Sequence, residues 1–361
     1  MKAGANNNRK GLVIIAVLWT VVVLMAIVAV LGRRTRLDMK VCMARMDAVR
    51  CKWACRAGVE KAIAVLNTDE TENDTLLDLW SDNAEDFNDV MLERCRLNIR
   101  VVDETSKLNI NSATKEQLLG LPYMLEEIAD AIIDWRDADD MPSGAGVEGG
   151  YYEGLDFVYR ARNGPFRTIR ELLMVKDITE ELFYGEDTNF NGQLDYNERD
   201  GDESPPTDDG DDELDRGWIA YLTCYPAAEG AGQNSQNSQD SGSEQPPTQV
   251  NVNTAREEVL VALLGGGEEA VSIALAIIDF RESTENGIEQ TSDLTDNGVM
   301  TDSEFSEIED YITVSSDVFT VYCVATVDRN GIPGAQVRTE FVVNRSSRPY
   351  EILFSYQGTS N

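Results

Sequence analysis

The longest pattern in the chain is an unbroken apolar run from Leu12 to Leu31, in which Thr20 is the only polar side chain. At 1.5 Å rise per residue the run makes roughly 30 Å of helix, enough to cross a hydrocarbon core. A core helix of a soluble protein rarely lacks charge over such a length. A secretory signal peptide has a shorter apolar region closed by a small-residue cleavage site, whereas this run ends in Gly32-Arg33-Arg34. The helical pattern then continues. Arg33 to Leu66 contains no proline and one glycine, Gly58, and apolar positions recur at Val41, Ala44, Ala48, Trp53, Ala57, Ala62 and Val65. One helix of roughly 55 residues is predicted, half in lipid and half amphipathic. Lys2, Arg9 and Lys10 before the span balance Arg33, Arg34 and Arg36 after it. The positive-inside rule therefore leaves orientation open, and the short polar leader sets it instead.

Beyond the helix, Asn67 to Asn88 is polar and acidic, a loop with a short helix. Arg94 to Val102 alternates as a strand, with Cys95, Leu97, Ile99 and Val101 on one face. Short helices are predicted over Thr114–Leu121, Leu125–Trp135 and Phe166–Val175, with a Gly-rich loop over Ser143–Gly150. A long acidic loop spans Gly185–Gly217. Ala227–Pro247 is a Gly/Ser/Gln/Asn stretch of low complexity, read as flexible. Helices resume at Ala255–Leu264 and Ala270–Arg281. Three strands follow at Val318–Val327, Val337–Val343 and Tyr350–Tyr356, with a turn near Asn330-Gly331.

Two blocks recur in order. Leu108-Asn109-Ile110-Asn111-Ser112-Ala113 matches Val250-Asn251-Val252-Asn253-Thr254-Ala255. Ala131-Ile132-Ile133-Asp134-Trp135-Arg136 matches Ala276-Ile277-Ile278-Asp279-Phe280-Arg281. Each unit places a Ser or Thr cap about two residues before a helix, then a second helix carrying Ile-Ile toward a core. This is the helix-hairpin-helix pattern, in duplicate.

Such units often bind DNA through hairpin amides aimed at phosphate, backed by basic side chains. Here the first hairpin carries Glu126 and Glu127, and the second carries Glu268 and Glu269 after Gly265-Gly266-Gly267. These carboxylates repel phosphate. The formal net charge of −34 opposes nucleic acid further. The chain has no histidine, which removes the commonest general base and transition-metal ligand. It carries no nucleophile motif, P-loop or GxGxxG, so a catalytic role has no residue set to stand on. Its six cysteines form no C-x-x-C pair, which argues against a zinc or thioredoxin-like motif. Cys51 and Cys55 are too awkwardly placed along one helix to bridge each other.

Acidity on this scale suits divalent cations. Asp187, Asn189, Asn191, Gln193, Asp195 and Glu198 fall at positions 1, 3, 5, 7, 9 and 12 of an EF-hand-type calcium loop, with Gly192 at 6 and Leu194 at 8. Gly201 and Pro205-Pro206 follow, so the loop stands alone rather than in a paired sensor. Asp293 to Glu304 fits the pattern less well and is read as ending in a capping box from Thr301 to Glu304. Asp137, Asp139, Asp140 and Glu148 bracket the first Gly-rich loop, as a second cation site or a solvated acidic loop.

Arg9-Lys10-Gly11 followed by Leu12-Val13-Ile14-Ile15-Ala16 resembles a type IV prepilin leader. The resemblance implies cleavage by a prepilin peptidase between Gly11 and Leu12 and methylation of the new N-terminus. Most such proteins begin with Phe or Met and carry Glu fifth; here Leu12 is first and Ala16 fifth. Loss of that Glu, the Leu-Asn-Ile-Asn repeats, Asp134-Trp135-Arg136-Asp137-Ala138-Asp139-Asp140 and Tyr159-Arg160-Ala161-Arg162-Asn163 together resemble the K-family minor pseudopilins of type II secretion systems. What that resemblance implies is an α+β, pilin-like fold: leader 1–11, transmembrane and spine helix 12–66, first part of a sheet domain 67–106, inserted helical domain 107–315, and closing strands 316–361. It also implies an inner-membrane anchor with a periplasmic body, at the tip of a short fibre. Its expected partners are minor pseudopilins of the I and J families and the major pseudopilin. A tip subunit of a type IV pilus-like system and a membrane-anchored DNA receptor are the rival readings. The 227–247 insert and the calcium-like loop are less typical of the family.

Overall fold

The computed structural model describes residues 7–69, 72–187, 194, 196–199, 201, 210, 212, 214–225, 248–328, 333–346 and 349–360. The first helix, α1 (Asn7–Thr68), is continuous. Its apolar half packs against nothing: no part of the most apolar 18-residue window is buried, and Trp19 and Met25 are each 67% exposed. A soluble core helix is thereby excluded. Among the described residues α1 alone is long and apolar enough to cross a membrane.

The second half of α1 lies on a sheet, but along a different stripe from the predicted one. Cys51, Ala54, Cys55, Gly58, Val59, Ala62 and Leu66 are buried, whereas Val41, Ala44, Trp53 and Ala57 are exposed. Small residues carry the contact because the backbone comes close. A Cβ added to Gly58 would lie 2.7 Å from Cys323 Sγ and 3.3 Å from Ile99 Cδ1. The larger apolar side chains face outward.

After α1 come α2 (Ala84–Phe87), β1 (Val90–Leu92) and β2 (Cys95–Asp103). The chain then leaves the sheet. It forms β3 (Leu108–Asn109), α3 (Lys115–Leu119), α4 (Glu126–Arg136), α5 (Gly149–Glu153), α6 (Glu180–Tyr184) and β4 (Leu222–Thr223). A second series follows: β5 (Val250–Asn251), α7 (Glu257–Leu263), α8 (Gly267–Ser283), α9 (Asp293–Asp296), α10 (Asp302–Ile308) and β6 (Ile312–Thr313). It closes with β7 (Val318–Asp328), β8 (Pro333–Asn344) and β9 (Glu351–Ser360). The main sheet has the order β1-β2-β7-β8-β9, antiparallel throughout. The helical domain is thus inserted between two neighbouring strands. The sequence missed β1, which is only three residues long. The Ala227–Pro247 stretch and the Asn330-Gly331 turn lie outside the described residues.

The inserted domain is two copies of one unit. In each, a two-residue strand pairs in parallel with a strand at the unit's end: Leu108 with Leu222, and Val250 with Ile312. In each, the first Asn accepts from the backbone two residues on, Asn109 from Asn111 N and Asn251 from Asn253 N. The second Asn makes a reciprocal pair of bonds with a distant backbone position, Asn111 with Phe166 and Asn253 with Ile288. The closing arginines do the same job. Arg136 donates to the carbonyls of Ile110 and Ala113, and Arg281 to those of Val252 and Ala255. The two recurring blocks therefore recur together because, within each unit, the Arg of the second block caps the turn of the first.

The repeat runs further than the two blocks. Leu172 and Leu294 are buried six residues after Phe166 and Ile288. Seven residues later Thr179 and Thr301 cap α6 and α10, accepting from Leu182 N and Glu304 N. Thr301 forms the expected capping box. One expected cap differs: Thr114 caps α3 in a capping box, but the Thr254 hydroxyl donates to Asp103 instead, and Arg256 stands at the start of α7 without a side-chain cap. The two units meet where the end of α3 packs on α7: a Cβ on Gly120 would lie 2.6 Å from Ala262 Cα.

Two adjacent acids at the end of β2 join the sheet to both units. Asp103 accepts from Thr254 Oγ1 at 2.5 Å and Ser316 Oγ at 2.6 Å. Glu104 accepts from Lys107 Nζ at 2.8 Å, Thr223 Oγ1 at 2.5 Å and Thr320 Oγ1 at 2.6 Å. Both are buried. Burial raises Asp103 above the usual carboxylate range, against the pull of its donors. Burial works the same way on Glu104, but the Lys107 ammonium and two hydroxyls outweigh it and hold Glu104 below that range.

Candidate metal centre

Unit 1 departs from unit 2 by two insertions, and both are acidic. The first connects α4 to α5. Asp130 and Asp134 lie one turn apart on α4, and the Gly-rich loop folds back over them. Ser143 N donates to Asp134 Oδ1 at 2.9 Å, and Ala145 N donates to Asp130 Oδ2 at 2.9 Å. Lys115 Nζ, 2.6 Å from Asp130 Oδ1, neutralises that residue and holds it below the usual carboxylate range against its burial. Gly146 has no room for a side chain, since its Cβ would fall on the Asp134 carboxylate. The close wrap carries Glu148, at the start of α5, toward the end of α4.

Asp134, Asp137 and Glu148 meet there, with one oxygen of each within 4.8 Å of the others. Asp134 Oδ2, Asp137 Oδ1 and both Glu148 carboxylate oxygens are shielded from solvent and accept no hydrogen bond. Burial raises all three above the usual carboxylate range, and repulsion from neighbouring carboxylates, Asp139 among them, raises them further. Leaving a buried acceptor unmade costs about 1–3 kcal/mol, more for a charge. A hard divalent cation held there would remove that cost, because carboxylate oxygens are the ligands it prefers.

The predicted set is therefore partly redrawn. Asp137 and Glu148 enter the cluster. Asp139 and Asp140 turn to solvent, where Asp139 Oδ1 accepts from Met141 N and Asp140 Oδ1 from Asn163 Nδ2. Asp134 takes their place. In the sequence it belongs to the repeated Ile-Ile-Asp block, whose second copy, Asp279, is exposed. Its spacing of three from Asp137 across the end of a helix was the available signal.

The second insertion follows α6. Of the calcium-loop residues, Asn189, Asn191, Gln193 and Asp195 lie outside the described residues. Asp187 and Glu198, at positions 1 and 12, are both buried, 6% and 0% exposed. Gly11 and Leu12 lie within α1, in its first two turns.

Residues 95–184 match the family model for protein K of the type II secretion system, named as its first domain. That span runs from β2 through α6, and so covers the first insertion and stops at the second. No curated protein matches the chain. Among solved structures, a chain of the GspK-GspI-GspJ complex from the enterotoxigenic Escherichia coli type 2 secretion system shares the fold. It is 17% identical with a TM-score of 0.58, over 91% of this chain and 100% of that one. The K-protein match thus lies on the part of the chain that shares this fold, and over residues 95–184 the chain is similar to protein K of the type II secretion system.

Proposed function

We propose that the chain is a K-type minor pseudopilin of the type II secretion system, and that it caps the tip of the pseudopilus and helps start its assembly. The observation that carries this reading is the place of the helical domain. It interrupts the sheet between β2 and β7, and Asp103 and Glu104 tie both units to that point. A domain held there cannot swing aside for a subunit stacked above. Ala16 fits the same position. An acid at that place in related fibres neutralises the N-terminal amine of a neighbour in the spine bundle, and an ionised group in lipid persists only where it has a partner. A tip subunit needs none.

On this reading a prepilin peptidase cuts between Gly11 and Leu12, the new terminus is methylated, and the apolar half of α1 anchors the chain in the inner membrane with its body in the periplasm. The solved complex holds GspK, GspI and GspJ together. I- and J-family subunits are the corresponding partners here, and the outward face of α1 offers Val41, Met46, Val49 and Trp53 to them, each 45–68% exposed. Calcium fills the Asp134, Asp137 and Glu148 cluster and the 187–198 loop. The chain acts as a structural subunit with no chemistry of its own.

Electron microscopy of fibres carrying a label on the body decides the position. Label at one end of each fibre is expected, and label along the shaft rules the cap out. N-terminal sequencing of the membrane-extracted chain tests the processing site, where Leu12 is expected first.

A further inference from the structure

Four of the six cysteines meet at the contact between α1 and the sheet. Cys51 and Cys55 lie one turn apart on the buried stripe of α1, each 0% exposed. Cys95 opens β2 and Cys323 lies in β7, 3% and 0% exposed. The register pairs Cys95 with Val327 and Ile99 with Cys323, which puts both cysteines on the sheet face that α1 covers. Each helix cysteine then meets one strand cysteine. Cys51 is close enough to Cys95, and Cys55 to Cys323, for each thiol to perturb its partner's, while the helix thiols donate to the Ala335, Cys323 and Val337 carbonyls. Cys55 Sγ is also 3.4 Å from the Cys323 carbonyl oxygen. The other two cysteines stand apart: Cys42 is exposed on α1 and Cys224 is buried in the helical domain.

We infer that in the mature subunit Cys51 is joined to Cys95 and Cys55 to Cys323, two disulfides that staple the spine helix to β2 and β7. This rests on the reading that the body lies outside the cytoplasm, where disulfides persist. The oxidant is a disulfide carrier of the thiol–disulfide oxidoreductase class. In each pair one cysteine thiolate attacks the carrier's disulfide, forming a mixed disulfide and releasing one carrier thiol. The second cysteine thiolate displaces the other carrier sulfur. One S–S bond forms in the subunit, the carrier's bond is reduced to two thiols, and each cysteine gives up its proton.

Timing follows from the surroundings. Burial pushes the Cys51 thiol up to about 12 and raises Cys95 as well. Thiolates of that pair are scarce once the helix has docked, so its bond forms during folding, and burial shields both bonds afterwards. Cys55 and Cys323 lie 268 residues apart, and a bridge closing so long a loop restricts the unfolded chain strongly. Both staples sit where a pull on α1 would peel it from the sheet.

The test uses the full chain purified in detergent from cells that export it, alkylated in denaturant without reductant, digested and mapped by mass spectrometry. Linked peptides for Cys51–Cys95 and Cys55–Cys323 are expected, with alkyl groups on Cys42 and Cys224. Dithiothreitol should lower Tm by roughly 10 °C. A C42S/C224S variant should keep that response and a C51S/C55S/C95S/C323S variant should lose it. In a second arm the chain is unfolded, reduced, and refolded in a glutathione redox buffer, which supplies the oxidant whatever the native compartment. Six alkylated cysteines in that arm, or a Cys51–Cys55 link in either, overturns the pairing. Protease access to the body in spheroplasts reads location separately. Correct pairs after refolding with a protected body would overturn the location and leave the pairing standing.

Discussion

Units 1 and 2 are built on the same frame and do different work. Both close a turn of two asparagines with an arginine from the second helix, and both end in a threonine-capped helix. Unit 2 is the bare frame. Unit 1 carries 23 extra positions between its Arg and its Phe166, Asp137 to Pro165, where unit 2 has only Glu282 to Gly287 between Arg281 and Ile288. Because of that insertion, equivalent aspartates meet different fates. Asp279 points to water, whereas Asp134 is covered by the Gly-rich loop and faces two more carboxylates. A duplicated frame can keep one copy for packing and let the other acquire ligands, since the frame's bonds do not use the aspartate.

The largest expected effect separates the two docking acids. Glu104→Ala leaves Lys107 buried without its charge partner and should cost about 3–5 kcal/mol in denaturant unfolding. Asp103→Asn, where all the donors are neutral, should cost roughly 1–2 kcal/mol. Equal losses would show that the two junctions are not chemically distinct. Calcium sharpens the contrast between the aspartates. At a hundredfold excess over Kd, calcium should stabilise the wild type by about 2.7 kcal/mol per site. Asp134→Asn should remove one site's share of the Tm rise and Asp279→Asn none of it. Asp187→Ala with Glu198→Ala should remove the share of the second loop. The shared frame can be broken in both units: Arg136→Ala and Arg281→Ala should each cost roughly 1.5–3 kcal/mol, since each removes charge-assisted bonds to two carbonyls. A cost confined to one unit would end the equivalence.

The smallest effect is in pH. Asp134, Asp137 and Glu148 have raised values in the fold, so the folded chain holds more protons than the unfolded one above the ordinary carboxylate range. Without calcium, their contribution to stability should fall as pH rises through that window. Asp130 and Glu104 are lowered and work in the opposite direction. The readout is therefore the difference in slope between wild type and Glu148→Gln, which should flatten the decline, as should calcium. A gel-shift at low salt closes the series. No duplex binding is expected from hairpins carrying Glu126, Glu127, Glu268 and Glu269.

Periodicity and repeats made the frame readable. The long helix, β2 and its inward face, the paired helices and the last three strands all follow from alternation, helical spacing and duplicated blocks. Other features lay beyond local pattern. The buried stripe of α1 was misread because cysteine, alanine and glycine make the close contact, while the bulkier Trp53 and Val41 face out. The third and fourth parts of the repeat share almost no identity: Phe166 answers Ile288 through backbone bonds that many side chains permit. Asp134 escaped because its chemistry depends on a loop folding back over it. Asp139 and Asp140 show the converse: neighbours of Asp137 in sequence, they lie on the outer side of that turn.

The insertion also sets an order of events. Asp103 pairs with Phe319, so β2 must wait for more than two hundred further residues before it meets its neighbour. Closing a longer loop adds little equilibrium cost, because loop entropy grows only with the logarithm of length. It does add time. A chain emerging N-terminus first presents α1 and β2 with their apolar faces uncovered, while the two units, whose contacts are local, can already form. The sheet closes last, once β7 arrives. The window before that closure is when the apolar faces of α1 and β2 are most exposed, and when the cysteines of α1 are open to chemistry.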